Sequence, residues 1–144
     1  MEKNWNDDVI RFAEDLHKLK VVHNNDGPYA MLEIFHEWIK EYFHEKRFKG
    51  STILDYEYYP DQYQIKVTFL DHNLSIKFEG MNDVFAIKAF KPDRQEEMVE
   101  YYSIDTLKSE NKKILTSKTL FEILDTFTHR AHDNYLKSFL YLRA

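Results

Sequence analysis

The chain has 144 residues and a formal net charge of −5, from 20 basic and 25 acidic side chains, and it contains three glycines and no cysteine. This length fits one domain, and the lack of cysteine rules out a disulfide framework and any cysteine-based catalytic or metal site. The glycines all fall where the hydrophobic pattern changes, which leaves none for a loop that cradles the phosphates of a nucleotide.

The composition also bears on location and partners. No apolar run approaches the ~20 residues that span a bilayer, and the polar, acidic first eight residues are unlike a secretory signal. We therefore expect a cytoplasmic protein with no membrane partner. The charges are interspersed without a basic stripe, which argues against direct binding of nucleic acid. Heavy use of Lys, Asn, Ile, Tyr and Phe favours an AT-rich bacterial or phage genome.

Two amphipathic helices are predicted first. Residues 5–20 place Val9, Phe12 and Leu19 at helical spacing on one face. A polar loop is then predicted from His23 to Pro28, with the proline opening the second helix. That helix is predicted over about 28–48, before Gly50 ends it. Its broad apolar face consists of Met31, Ile34, Phe35, Trp38, Ile39, Tyr42 and Phe43.

From residue 51 the hydrophobic period changes from 3.6 to 2, which predicts strands joined by short turns. The link at 92–98 is charged, and the segment after it fits either a fifth strand or a helical turn, of which we favour the strand. A long helix over about 117–142 closes the chain, with Thr116 or Ser117 as its cap. The predicted strands are 51–59, 62–71, 74–79, 84–91 and 99–106, with a turn at 71–73.

These elements predict an α+β domain over residues 1–144. Its antiparallel meander of four or five strands is covered on one face by the two N-terminal helices and the long C-terminal helix, because the helices must bury their apolar stripes. The end of the last helix, from Tyr135 to Leu142, is apolar nearly all round. It therefore either packs deeply in the core or docks against a second copy of the chain, so that homodimer formation through this helix is one of two alternatives.

Tyrosines and acidic residues crowd the first predicted hairpin. Tyrosine is enriched at protein interfaces, where it supplies a large contact area at low entropic cost. Neighbouring carboxylates would steer the surface towards a basic partner. The alternative is ordinary aromatic pairing across a sheet. The predicted partner-binding residues are Tyr56, Glu57, Tyr58, Tyr59, Asp61 and Tyr63, with Tyr101 and Tyr102 extending the patch from the fifth strand.

One cluster has the residue types of a metal site. On a helix, His129, His132 and Asp133 face the same way, and imidazole with carboxylate can hold a transition-metal ion. The spacing lacks the glutamate and second-histidine offset of the zincin helix, so a solvated helix face explains it better. Neighbouring histidines such as His36 or His44 would have to complete the site.

The function that these observations favour is a small, non-enzymatic protein-binding module of the inhibitor, immunity or adaptor type, which uses the acidic tyrosine-rich hairpin and the open face of the sheet. No catalytic residue and no cofactor is predicted. Two alternatives stay open. One is a small-ligand-binding protein with an aromatic cavity between sheet and helix. The other is a metal-dependent hydrolase centred on the His129 cluster.

Overall fold

A five-stranded antiparallel sheet, with helices before and after it in the chain, forms the framework of the protein. The computed structural model describes residues 5–45, 54–80, 84–103 and 113–143. The predicted α+β class, with its long C-terminal helix, is confirmed. The elements are α1 (Trp5–Asp26), α2 (Pro28–Glu45), β1 (Leu54–Tyr59), β2 (Gln64–Phe69), β3 (His72–Glu79), β4 (Val84–Phe90), β5 (Glu96–Ser103) and α3 (Ser117–Arg143).

The strands follow one another across the sheet in chain order, as the short turns predicted. Side chains alternate between two faces. One face packs on the helices and supplies Ile65, Val67 and Ile76, all fully buried, to the same core cluster as Leu32 and Leu124. The opposite face, which we call the open face, carries the polar residues between them, among them Gln64, Lys66, Asn73, Ser75, Lys77 and Lys88.

The β2–β3 turn is tighter than the sequence indicated. Leu70 and Asp71 form it alone, both with positive φ angles (48° and 67°), as the right-handed twist of a two-residue hairpin favours. His72 pairs with Phe69 and is buried at the start of β3. The prediction of a turn over 71–73 is therefore wrong at His72 and Asn73, which already belong to β3, because the register leaves only two residues to turn.

The fifth strand is present, and it starts earlier than predicted. Phe90 of β4 already pairs with Glu96, after a turn in which the Lys91 amide donates to the Gln95 carbonyl (2.9 Å). The charged link at 92–98 therefore contains the first residues of β5. The predicted end of this strand, at 104–106, lies outside the described residues.

The first helix is longer and less buried than its sequence indicated. It continues through the predicted loop to Asp26, and Gly27 alone reverses the chain, with a φ of 73° that favours glycine. Leu19 is fully buried, but Val9 and Phe12 are both 52% exposed. The predicted apolar stripe is thus wrong in its first half, because the buried residue on that part of α1 is Asp15, which contacts the start of α3.

The other two helices follow their patterns more closely. Every predicted apolar residue of α2 is buried, and the predicted last turn and Gly50 lie outside the described residues. In α3, Leu120, Leu124, Phe127 and Ala131 are buried, whereas Tyr135 is exposed. The apolar stripe of α3 is therefore buried as far as Ala131 and exposed one turn later, at Tyr135. The side chains from Ser138 onward lie outside the description.

Candidate functional site

The connection between β1 and β2 is held in one defined shape. Pro60–Gln62 form a single 3-10 turn, and the Tyr63 amide donates to the Pro60 carbonyl (3.1 Å). Tyr63 has a φ of 51°, the left-handed region that large side chains rarely occupy. Its carbonyl accepts from the Phe78 amide on β3 (3.1 Å). These bonds fix the direction in which the Tyr63 ring leaves the hairpin.

The predicted tyrosine patch is divided between two faces of the sheet. Tyr56 and Tyr58 point towards α2, where both rings pack against His36, with ring centroids 5.5 Å and 4.2 Å away. Glu57 and Tyr59 lie on the open face and are hydrogen-bonded to each other. The division follows from strand alternation, because every second residue faces the same way.

The two tyrosines of β5 are divided in the same way. Tyr101 is 47% exposed on the open face, whereas Tyr102 is 1% exposed and its hydroxyl donates to Glu100. The prediction that both extend an exposed patch is wrong for Tyr102. That ring pairs with Phe85 across the sheet and belongs to the core.

The exposed part of the predicted hairpin gains two residues from α2. The rings of Tyr29 and Tyr63 lie 6.3 Å apart at an interplanar angle of 87°, and they are 43% and 40% exposed. Glu33, one turn after Tyr29, accepts a hydrogen bond from the Tyr58 hydroxyl (3.0 Å). We call the surface formed by Tyr29, Glu33, Asp61 and Tyr63 the hairpin-end patch.

The electrostatics of the hairpin-end patch are those of an acidic surface. The pKa of Tyr58 is raised, first by burial and then by its hydrogen bond to Glu33. Interaction with Glu33 raises the pKa of Tyr29, and the charge of Asp61 adds to that effect. Both carboxylates, from different elements, therefore raise the pKa of the same tyrosine hydroxyl.

Sequence reasoning missed Tyr29 and Glu33. Tyr29 lies 34 positions before Tyr63, and the hydrophobic pattern of α2 divides its residues only into apolar and polar faces. A signal was present, since Tyr29 follows the helix-opening Pro28 and lies outside the helix's apolar stripe. A large aromatic residue at that place, one turn from an acid, is a candidate for surface contact.

A pocket of about 480 Å³ lies on the open face, over the central strands and the β4–β5 turn. Its floor contains the short side chains of Ser75 and Ala86, and longer side chains surround them. Five basic residues line it, and Glu79 is the one acidic residue among the described lining. The basic residues are Lys66, Lys77, Lys88, Lys91 and Arg94.

Other depressions lie on the helical side of the molecule. One of about 410 Å³ runs along α1 and the start of α3, past Arg11, Asp15 and Thr119. Another, of about 650 Å³, lies between α1 and α2 beside Lys18 and Glu41. Between the helices and the sheet lies the core cluster of the described residues, which includes Phe35, Phe85 and Phe127. An aromatic ligand cavity was predicted at that place, and the pocket over the sheet lies on the opposite face instead.

The metal candidates are not brought together with further ligands. His129 and Asp133 are exposed on α3, and His132 Nδ1 lies 4.0 Å from the Asp133 carboxylate. Across residues 5–45, 54–80, 84–103 and 113–143, no three His, Asp or Glu side chains are grouped as metal ligands. His36 stacks on Tyr58, and His44 is exposed on α2 beside Glu41. The predicted hydrolase centre is therefore not assembled by the described residues.

Within the part of the chain that the structure describes, no helix is long and apolar enough to cross a membrane. The chain matches no protein-family model, no curated protein and no solved structure with which it was compared. Its function is therefore inferred from its surfaces.

Proposed function

We propose that this chain is a small protein-binding module of the inhibitor, immunity or adaptor type, which acts by covering part of another protein's surface. The observation that carries the proposal is the exposed, perpendicular pair of Tyr29 and Tyr63, with Glu33 and Asp61 beside it. Two tyrosines that leave so much of their rings in water, while their backbones are fixed, are typical of interface anchors.

The chemistry of the hairpin-end patch favours a basic partner. The π faces of Tyr29 and Tyr63 attract cations, and an Arg or Lys side chain placed over an exposed ring face gains about 0.5–2 kcal/mol from such a contact. The carboxylates of Glu33 and Asp61 add attraction of the same sign. A lysine or arginine on the partner would thus find rings and carboxylates converging on one place.

Rigidity supports the same conclusion. Tyr63 is held by backbone hydrogen bonds on both sides, and its ring also packs near Phe78, with centroids 6.0 Å apart. Tyr29 lies in the first turn of α2, whose face towards the core is buried. A surface that is already ordered loses little conformational entropy when it binds, and more of the contact energy therefore appears as affinity.

The experiment is capture of a partner from the lysate of the native host by the tagged protein and two variants. Tyr29→Ala with Tyr63→Ala removes both anchors, whereas Phe12→Ala removes an aromatic ring of similar exposure from α1. We expect the unchanged protein and Phe12→Ala to retain one stoichiometric partner and the double variant to lose it. Retention by the folded double variant, or no partner for the unchanged protein, would contradict the proposal.

The C-terminal helix supports a second partner, another copy of this chain. Tyr135 and Leu136 are exposed next to each other on α3, after the stripe has left the core. Such neighbouring apolar residues are typical of helix pairing between chains. Sedimentation of the unchanged protein and of Tyr135→Glu with Leu136→Glu tests this, and a monomer at every concentration of the unchanged protein would rule it out.

A further inference from the structure

The open-face pocket carries a charge opposite to that of the whole chain. The chain has a formal net charge of −5, yet five basic side chains and one acidic side chain line this pocket among the described residues. That acidic residue, Glu79, lies 3.9 Å from the Lys88 ammonium. Within the described part of the chain, no carboxylate lies within ion-pair distance of Lys77, Lys91 or Arg94.

The register of the sheet explains how these charges converge. Ser75 on β3 is paired with Lys66 on one side and with Lys88 on the other. Because neighbouring strands lie about 4.8 Å apart, the backbones of these two lysines are about 10 Å apart, with a short serine between them. Lys77 lies two residues further along β3, on the same face, beside Ala86. Long basic side chains therefore surround a floor of small ones.

Two uncharged polar side chains of the pocket, Ser75 and Asn73, accept hydrogen bonds from neighbouring residues and keep their own donor hydrogens. The Gln64 amide nitrogen donates to Ser75 Oγ (2.9 Å), so the Ser75 hydroxyl hydrogen is left to donate elsewhere. Likewise, Thr68 Oγ1 donates to the amide oxygen of Asn73 (3.2 Å), and the Asn73 amide nitrogen keeps its own hydrogens for a ligand. Both networks thus leave hydrogen-bond donors available among the residues of a pocket that is lined mainly by basic side chains.

The rim of the pocket is held in place by the β4–β5 turn. The Arg94 amide donates to the Lys91 carbonyl (2.8 Å), and Arg94 has a φ of 69°, in the left-handed region. Strained backbone of this kind is enriched at ligand-binding sites. The turn brings Lys91 and Arg94 to one end of the pocket, where Phe90 supplies an apolar wall.

From this arrangement we infer that the open-face pocket binds a small organic anion with several negative charges, carried by phosphoryl or carboxylate groups. The volume of about 480 Å³ is that of a small-molecule site. The donors and cations would hold the charged groups, and Phe90 would contact the organic part. This ligand site is separate from the hairpin-end patch, and the inference does not depend on the protein-binding proposal.

The test is isothermal titration calorimetry at constant ionic strength, with pyrophosphate and citrate as the two probes. The variant Lys77→Gln with Arg94→Gln removes two pocket cations, and Lys18→Gln with Lys20→Gln removes the same charge from exposed positions on α1. Since a charged hydrogen bond contributes ~1.5–3 kcal/mol, we expect the pocket variant to bind at least about tenfold more weakly. The α1 variant should bind like the unchanged protein.

The probes distinguish the source of the charge. If only pyrophosphate binds, the ligand carries phosphoryl groups. If only citrate binds, it carries carboxylate groups. If both bind, the pocket is a general polyanion site. The inference is overturned if neither probe binds, or if the two variants weaken binding equally, since that would show attraction to overall charge. It is also overturned if single-stranded oligonucleotides bind more tightly with increasing length, which would make the face a nucleic-acid surface.

Discussion

A buried carboxylate from a distant helix caps the start of α3. Asp15 Oδ2 accepts hydrogen bonds from the Ser117 amide (2.8 Å) and the Ser117 hydroxyl (2.6 Å). Arg11 also donates to the Ser117 hydroxyl (2.9 Å) and holds Glu41 on α2. The sequence favoured Thr116 or Ser117 as a local cap, and a partner 102 positions away could not be found from spacing. This network ties the three helices together.

Asp15→Ala should therefore destabilise the protein. It leaves the Ser117 amide and hydroxyl without an acceptor in a buried place, which costs about 1–3 kcal/mol in the free energy of unfolding. Urea denaturation measures the change, with Glu14→Ala, an exposed neighbour on α1, as the control. If both variants lost the same stability, the Asp15 cap would contribute nothing.

His36 should make stability depend on pH. Burial against the sheet lowers its pKa below the usual value of about 6.5, and Lys40 lowers it further. The unfolded chain then binds this proton at a higher pH than the folded chain. The contribution of the neutral His36 ring to the free energy of unfolding is therefore complete above about pH 6.5, and it declines as the pH falls through the pKa of His36 in the folded protein.

NMR titration of the His36 ring measures this directly, and we expect a midpoint below about 6.5. In parallel, His36→Gln should show a smaller loss of unfolding free energy between neutral and mildly acidic pH than the unchanged protein. A His36 midpoint at or above the free value would contradict the burial of its ring on Tyr58.

Strand alternation in β5 places two adjacent tyrosines on opposite faces of the sheet. Tyr102 lies in the core, and Tyr101 lies on the open face. Tyr102→Ala should cost about 3–5 kcal/mol of unfolding free energy, as large aromatic truncations in cores do. Tyr101→Ala should stay within about 1 kcal/mol. Chemical denaturation of the two variants checks the prediction, and equal losses would refute the assignment of faces.

The strands and α2 could be predicted because one strong period governs each of them. Ile65, Val67 and Phe69 alternate with polar residues, and the apolar residues of α2 recur every three or four positions. The end of α1 could not be predicted, because His23, Asn24 and Asn25 are compatible with either a loop or a helix. The chain reverses only at Gly27, through its positive φ angle. The exposure of Val9 and Phe12 could not be predicted either, since hydrophobic periodicity does not show whether another element packs against that part of α1.

The candidate sites show the same limit. The sequence correctly placed Tyr63 and Asp61 in the first hairpin, but it grouped them with Tyr56 and Tyr58, which alternation turns towards the helices. The pocket on the open face was not predicted, because its basic residues come from three strands and a turn. Only the pairing register brings residues as distant in sequence as Lys66 and Lys88 to one place.

Charge is separated between two regions of the protein surface. The hairpin end combines aromatic rings with Glu33 and Asp61, and the centre of the open face is basic despite the net negative charge of the chain. This separation suits a protein that presents one surface to a basic partner and another to an anionic ligand. Raised ionic strength should weaken both interactions, since it screens exposed charges.

The most direct test of the protein-binding account is amide hydrogen exchange of the chain with and without its captured partner. We expect binding to slow exchange in the β1–β2 connection, residues 60–63, and in the first turns of α2, while α3 and the open face change little. Protection confined to α3 or to the open face, with the hairpin end unchanged, would show that the partner binds elsewhere.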